Sequence, residues 1–426
     1  MSRISLTEIM GERIAPDVKG EYYPDLLPQN SDLEELISRF KSNGHEAWVV
    51  GGAVRDCILG LNPMEFDICT DANPEQMIEI FERTIPTGVD FGTVTVRINE
   101  SFFEVTTLRS ESNYSDGRRP KIVNWGTSLY EDLSRRDFTM NSMAYDLNDK
   151  LLFDPFNGKK DLQNGVLSAV GKAKQRLSED GLRIMRAYRF MDRGSKGVWL
   201  PDKELSDALI DNRSMLTMVS IERVWSELLR IITGINAGKV LDRMNYDGVL
   251  SLILGIPIRS DLFNAVDILD PEIEARFATL LTDSSKEEVD GILSKLKVSK
   301  KVSNRTKLLH FLSNNIPEKF DLRIYRATLG KDVTLHISIR KALGLPIGDM
   351  EDSLEYPYDL DPIVTGEWLM SKTGLGPGIR LGRLKDWLFR IQIDRGLTQI
   401  DQLETVLCTI PWEYGEPTQW PKPTWL

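Results

Sequence analysis

The chain has 426 residues, 41% apolar and 27% charged, with a net charge of −11, so it is too long for one average core and reads as a soluble globular protein of two to four units. No apolar run approaches the roughly 20 residues that span a bilayer, so no membrane-spanning helix is expected. Cys57, Cys69 and Cys408 are the only cysteines and none is in CxxC spacing, which excludes a disulfide framework or a zinc site.

The first residues, MSRISLTEIMGERIAPDVKG, break their apolar positions with charges and form no signal-peptide core, so a cytoplasmic protein is expected. Residues 32–43 carry apolar side chains at helical spacing, and AWVVGG (47–52) reads as a buried strand ending in a glycine turn. AVRDCILG (53–60) predicts a helix closed by Gly60. TVTVRI (93–98) and SFFEVTTLR (101–109) predict a hairpin around Asn99-Glu100. Segment 110–126, polar and broken by Gly and Pro, predicts a long exposed loop, and from about 132 to 345 the pattern is mainly helical. Segment 294–310 holds Lys295, Lys297, Lys300, Lys301, Arg305 and Lys307 with no acid: either a solvated helix face or a phosphate-binding patch on an acidic protein. Residues 346–363 are Pro-rich and acidic, as a linker would be, and the prolines after 410 exclude regular helix there.

Three constellations carry chemistry. In the first, Gly51-Gly52 sits between a strand and a helix start, where backbone N–H groups and the helix dipole favour a phosphate. Arg55 follows one helical turn later, and Glu65 and Asp67 share one side of any extended segment. Two such acids repel unless a cation lies between them, and magnesium takes one or two carboxylates plus substrate phosphates. Each feature alone also fits a plain turn or a solvated strand edge. Glu104, alternating with apolar neighbours in FFEVTT, offers a third carboxylate, as a second-metal ligand, a base, or an ordinary exposed glutamate. The second constellation is Arg135-Arg136-Asp137, whose arginines could fork onto triphosphate oxygens or form a local salt bridge. In the third, Asp180, Arg183 and Arg186 recur at helical spacing on one face, followed by Arg189. Asp and Arg there could read a Watson–Crick edge, or form an ion-pair ladder.

In order, VVGGAVRDCILG, EFDICT, FEVTTLR, SESNYSDGRRP, LYEDLSRRDFTMNSMAYD, SEDGLRIMRAYRF and SIERVWSEL, covering roughly 47–228, resemble the class II tRNA nucleotidyltransferases (CCA-adding enzymes) and the related bacterial poly(A) polymerases. The resemblance implies an α+β fold. A polymerase-β-like nucleotidyltransferase head with a mixed sheet (32–150) would follow an N-terminal extension (1–31), and precede an all-helical neck (151–235), body (236–345) and tail (346–426). It implies that Glu65 and Asp67 bind magnesium, or manganese, with Glu104 as the third catalytic carboxylate. Gly52, Arg55 and Arg136 would contact the triphosphate. Asp180 and Arg183 would pair with the incoming CTP or ATP, and Arg186 and Arg189 would extend that surface. Loop 110–120 resembles the one associated with adding the final A. Segment 365–398 resembles the tRNA-holding tail, and Lys297, Lys300 and Lys301 are the candidate RNA contacts.

The activity so implied is template-independent addition of CCA to the 3′ end of tRNA, with poly(A) or A-only addition, or an RNA-binding relative of low activity, as alternatives. Two departures bear on it. Glu65 stands where the family usually has Asp, moving a carboxylate by about a bond length in a site with strict octahedral demands. Gly181 stands where a proline or small residue is common, a substitution expected to loosen the helix start. With only His45, His310 and His336 in the chain and no HxxxHD-like pattern, an appended HD phosphohydrolase domain is not expected.

Overall fold

The structure is a computed structural model that describes residues 17–114, 120–126 and 128–425. The chain divides into two compact units, the first running to Pro257 and the second starting at Ile258.

The first unit is built on a mixed eight-stranded sheet in the order β1-β10-β9-β2-β3-β6-β5-β4. Its strands are β1 (Gly20–Tyr22), β2 (Ala47–Val50), β3 (Asp67–Thr70), β4 (Thr84–Gly88), β5 (Thr93–Ile98), β6 (Ser101–Thr107), β9 (Ala144–Asp146) and β10 (Leu151–Phe153). β2 is buried along its whole length between β9 and β3, as an unbroken apolar run at mid-sheet must be. The pairing is antiparallel except between β3 and β6, whose register sets Asp67 beside Glu104. The hairpin from β5 to β6 turns at Asn99, which takes the left-handed conformation at φ 50 that Asn tolerates. One face of the sheet buries Trp48, Val50 and Cys69 with Leu129 and Leu133.

The helices of this unit are α1 (Ser31–Ser42), α2 (Gly52–Ile58), α3 (Pro74–Ile80), α4 (Leu129–Ser134), α5 (Gly158–Asn164), α6 (Ala173–Glu179), α7 (Leu182–Met191), α8 (Lys203–Asp211), α9 (Ile221–Ile232), α10 (Ala237–Tyr246) and α11 (Val249–Leu254). Asn30 caps α1 by accepting from the Leu33 N–H, which starts the helix at Ser31.

Three sequence expectations change here. The supposed loop at 110–126 contains an antiparallel ribbon, β7 (Arg109–Tyr114) paired with β8 (Pro120–Trp125), with 115–119 outside the described residues. Its polar, Gly- and Pro-broken composition hid the strands, because it carries no apolar alternation to mark them. Residues 144–153, expected to be helical, are sheet strands β9 and β10, and β1, from the region before 32, pairs with β10. Asp180 does not ride on a continuous helix: α6 stops at Glu179, and Asp180 is extended (φ −144, ψ 109) before α7 begins.

Gly181 also acts differently from expectation. A Cβ there would lie 2.6 Å from the Met215 carbonyl oxygen and 3.0 Å from Val219 Cγ2, so glycine permits close packing of the α7 start on the 3-10 turn Arg213–Met218.

The second unit is helical from Asp261 to Leu407. One of its cores joins Leu309, Tyr325 and Val333 to Met350, Ile393 and Trp425; another gathers Val364, Leu384, Leu403 and Trp420. The stretch expected as a linker, 346–363, is therefore packed: a 3-10 helix at Met350–Glu355 buries Met350 and Ser353. Apolar side chains at the right positions outweighed its Pro-rich, acidic composition. No helix among the described residues is long and apolar enough to cross a membrane.

Candidate active site

β2 delivers the chain to Gly51, whose φ of +68 only glycine adopts readily, and a Cβ there would stand 3.1 Å from Arg136 Nη1. The missing side chain brings the strand end against Arg136 and near Asp67. α2 then places Arg55 over the cavity: its Nε donates to Asp56 Oδ1 at 2.8 Å and its Nη1 to Asn141 Oδ1 at 2.8 Å.

Arg136 is fixed from below. Asp132, fully buried on α4, accepts from Arg135 at 2.6 Å and Arg136 at 3.1 Å. Burial pushes the Asp132 carboxyl up, but the two guanidinium groups outweigh it and hold it below the usual carboxylate range. Asp137 is similar: burial raises it, while Arg186 and the Asn141 side chain bring it down to about 2. Arg186 Nε donates to Asp137 Oδ2 at 2.6 Å, and Asn141 Nδ2 to Oδ1 at 3.2 Å. A polar chain thus runs from Asp56 through Arg55, Asn141 and Asp137 to Arg186, joining α2 to α7.

The carboxylates pull the other way. Asp67 is pushed up by burial and by Glu65, with Arg136 and Arg55 opposing, and Glu104 by burial, Asp67 and Glu65. Glu65 lies just before β3, exposed. Among the described residues no three His, Cys, Asp or Glu side chains form a ready-made metal cluster.

At the start of α7, Asp180 Oδ1 accepts from the Leu182 N–H at 2.9 Å and Oδ2 from Arg223 of α9 at 3.1 Å. Arg183 is nearly buried: it donates to Glu179 at 2.6 Å and to the Arg176 and Arg135 carbonyls at 2.9 and 3.1 Å. Arg189 pairs with Glu227 of α9 at 2.5 Å.

These residues surround one cavity of about 680 Å³, lined by Gly51, Gly52, Arg55, Glu65, Asp67, Arg136, Asp180, Arg183, Arg186 and Arg189 among others. Eight arginines and five acids line it, and Asp132, Glu179 and Glu227 just behind the lining hold four of those arginines, so the cavity is rich in oriented guanidinium groups in a chain of net charge −11. Glu104 is outside the lining but beside Asp67 in register. Sequence reading missed Asp132, Asn141, Phe190, Arg223 and Arg230. Asp132 and Asn141 lie inside the quoted motifs, but pairing across 86 residues, as in Arg55–Asn141, leaves no trace in spacing.

Lys297, Lys300 and Lys301 lie in the second unit, exposed around the turn between helices Lys286–Lys295 and Lys300–Ser313. Of the same basic run, Arg305 is paired with Asp332 and Glu272, and Lys307 with Asp290.

Comparison with known proteins places this geometry. The sequence family described as the poly A polymerase head domain matches residues 47–168. A CCA-adding enzyme of Lactobacillus johnsonii is 32% identical over 363 residues, 82% of this chain and 89% of its own length. The chain belongs to the CCA-adding enzyme family. A Geobacillus member is 41% identical over 249 residues, an alignment that spans 58% of this chain and 59% of the relative. The Bacillus stearothermophilus CCA-adding enzyme, solved in complex with CTP, matches with a TM-score of 0.74 at 25% identity, over 89% of this chain and 97% of that one. The Thermotoga maritima CCA-adding enzyme, solved with a tRNA, shares the fold at a TM-score of 0.66 and 21% identity, over 92% of this chain and 99% of that one. Within this family the α+β reading holds: a mixed-sheet head, then helical structure. The poly(A) alternative is not favoured, since the relatives named here are all CCA-adding enzymes.

Proposed function

We propose that this protein adds CCA to the 3′ end of tRNA without a nucleic-acid template, taking CTP and ATP and releasing pyrophosphate. The observation that carries the reading is one arginine-lined cavity: a glycine turn, the neighbouring carboxylates Glu65 and Asp67, and Asp180 with Arg183 all open into it. In the reaction the RNA 3′ hydroxyl attacks the α-phosphorus, a bond to oxygen forms there, and pyrophosphate leaves.

Arg55 and Arg136 bind the triphosphate beside Gly52, where no side chain obstructs a phosphate. Each guanidinium is already oriented by an acid, Arg55 by Asp56 and Arg136 by Asp132, so little side-chain freedom is lost on binding. Asp180 and Arg183 meet the base, held by Arg223 and Glu179 respectively. Both are held within the protein, Asp180 through each oxygen and Arg183 through three hydrogen bonds, so they meet the base in fixed positions. Arg186 and Arg189 extend the surface.

The carboxylates fit a divalent cation. Glu65 and Asp67 are hard oxygen donors whose mutual repulsion a cation relieves, and substrate oxygens must complete the coordination shell. Magnesium, or manganese, bound by Glu65 and Asp67 would neutralise charge on the phosphates. Glu104 is the proposed acceptor of the hydroxyl proton, a reading supported by its register beside Asp67 and by a proton affinity raised by burial, Asp67 and Glu65.

The domain reading proposed with this is head 32–150, neck 151–235, body 236–345 and tail 346–426, with Lys297, Lys300 and Lys301 contacting tRNA. The proposed location is the cytoplasm, in keeping with free Cys57, Cys69 and Cys408. Purified protein given tRNA lacking its 3′ CCA should extend it by CC with CTP alone and by CCA with both nucleotides. Long A tracts from ATP alone would overturn the reading.

A further inference from the structure

Phe190, on the last turns of α7, is 5% exposed yet lines the cavity. Three guanidinium groups gather on its ring: the Cζ of Arg189 lies 4.1 Å from the centroid, that of Arg186 5.2 Å and that of Arg55 5.4 Å. All three are within the roughly 6 Å over which a ring quadrupole attracts a cation. They come from two elements, Arg55 from α2 and the others from α7, so the ring is a shared neighbour of both walls.

Each arginine also binds one carboxylate through Nε: Arg55 to Asp56, Arg186 to Asp137, Arg189 to Glu227. The acids fix one edge of each guanidinium. Glu227 attracts both Arg186 and Arg189, but none of these acids hydrogen-bonds more than one of the three guanidinium groups, whereas the ring lies beside all of them. The negative face of the ring supplies a common attraction without presenting another carboxylate to an incoming triphosphate. Phe190 is itself held by edge-to-face packing on Phe138, at 5.7 Å between centroids.

We propose that Phe190 is a positioning residue for nucleotide binding, whose π face gathers Arg55, Arg186 and Arg189 into a preformed array for the phosphates and base of CTP and ATP. This rests on the nucleotide-binding reading of the cavity. It makes the electron density of the ring, beyond its volume, a determinant of KM.

The test replaces Phe190 in the full-length protein with 4-fluoro-, 3,5-difluoro- and 3,4,5-trifluorophenylalanine, which drain the ring face stepwise at nearly constant size. KM for CTP and for ATP should climb with each fluorine while Tm stays level. Phe190→Leu should raise both KM values about tenfold, equivalent to about 1.4 kcal/mol, and Phe190→Tyr should restore them. A KM that is flat across the fluorinated series overturns the proposal, and would leave Phe190 as an ordinary core side chain. Should Phe190→Leu fail to fold, the fluorinated series still decides. The wild-type control separates the two readings: no CC or CCA addition by it would defeat the functional assignment, and titration of CTP binding by calorimetry across the series would still judge the ring.

Discussion

At the scale of single residues the site opposes two kinds of acid. Asp132 and Asp137 are held ionised by arginines, whereas burial pushes Asp67 and Glu104 toward protonation, helped by Glu65 at Asp67 and by Asp67 and Glu65 at Glu104. Asp67 should therefore cost the metal-free fold stability as pH rises through its raised value, and Asp67→Asn should abolish nucleotide addition while removing that part of the pH dependence of the metal-free Tm. Retention of near-wild-type turnover in magnesium would contradict the assignment. Glu65→Asp should preserve or increase activity, since it restores the family's commoner ligand length. Asp137 carries the opposite linkage. Its folded pKa of about 2 lies below the unfolded value, so its contribution, about 2 kcal/mol, is present above pH ~4 and lost as pH falls toward 2. Acid unfolding of Asp137→Asn should lack that component. Asp180→Ala should relax base choice more than it slows turnover, with UTP and GTP misincorporation rising about tenfold, as losing one reading contact worth roughly 1–3 kcal/mol requires. Unchanged fidelity with lowered stability would mark Asp180 and Arg223 as a structural ion pair.

At the scale of elements, glycine contacts decide how α7 is presented. Gly181→Ala would force a Cβ to within 2.6 Å of the Met215 carbonyl, displacing either the 213–218 turn or the helix start that carries Asp180. A cost of about 1–3 kcal/mol, or a Tm fall of roughly 3–10 °C, should come with poorer base selection. Gly291, in the exposed helix Lys286–Lys295 with nothing within 4 Å of its would-be Cβ, gives the opposite sign: Gly291→Ala should stabilise by about 0.5–1 kcal/mol. Calorimetry of both variants checks the contrast. The same elements show what sequence carries. VVGG and FEVTT were readable as strands because their apolar residues are contiguous or alternate, and EFD and RRD stood out by charge. The β7–β8 ribbon was not, having no apolar alternation in its sequence. Nor was the break between α6 and α7: Asp180 and Arg183 keep helical spacing in sequence although the backbone at Asp180 is extended. Arg223 and Glu227 look like surface charges on an amphipathic helix until α9 packs on α7 and turns them toward Asp180 and Arg189.

At the scale of the whole molecule the problem is how an acidic protein holds a polyanion. The net charge of −11 makes long-range steering of tRNA unfavourable, so binding must rest on local cationic surface, and the cavity's arginines are those proposed for the nucleotide. The basic run in the second unit is smaller than its composition implies, because Arg305 and Lys307 are neutralised by Asp332, Glu272 and Asp290. The turn that carries Lys297, Lys300 and Lys301 is exposed and is the surface proposed to meet phosphates. Replacing these three with Gln should weaken tRNA binding and flatten the dependence of log K on log salt by about 2 units, since each neutralised phosphate contributes roughly 0.7–0.9. Arg305→Gln, which removes a cation already paired within the protein, should leave the slope almost unchanged while lowering stability. Addition to a minihelix carrying only the acceptor end should suffer less than addition to whole tRNA, because the chemistry resides in the first unit. Measuring both substrates across a salt series distinguishes the possibilities. Equal loss for tRNA, minihelix and unstructured RNA would mean that the lysines attract any RNA, and the preference for tRNA would have to arise elsewhere in the chain.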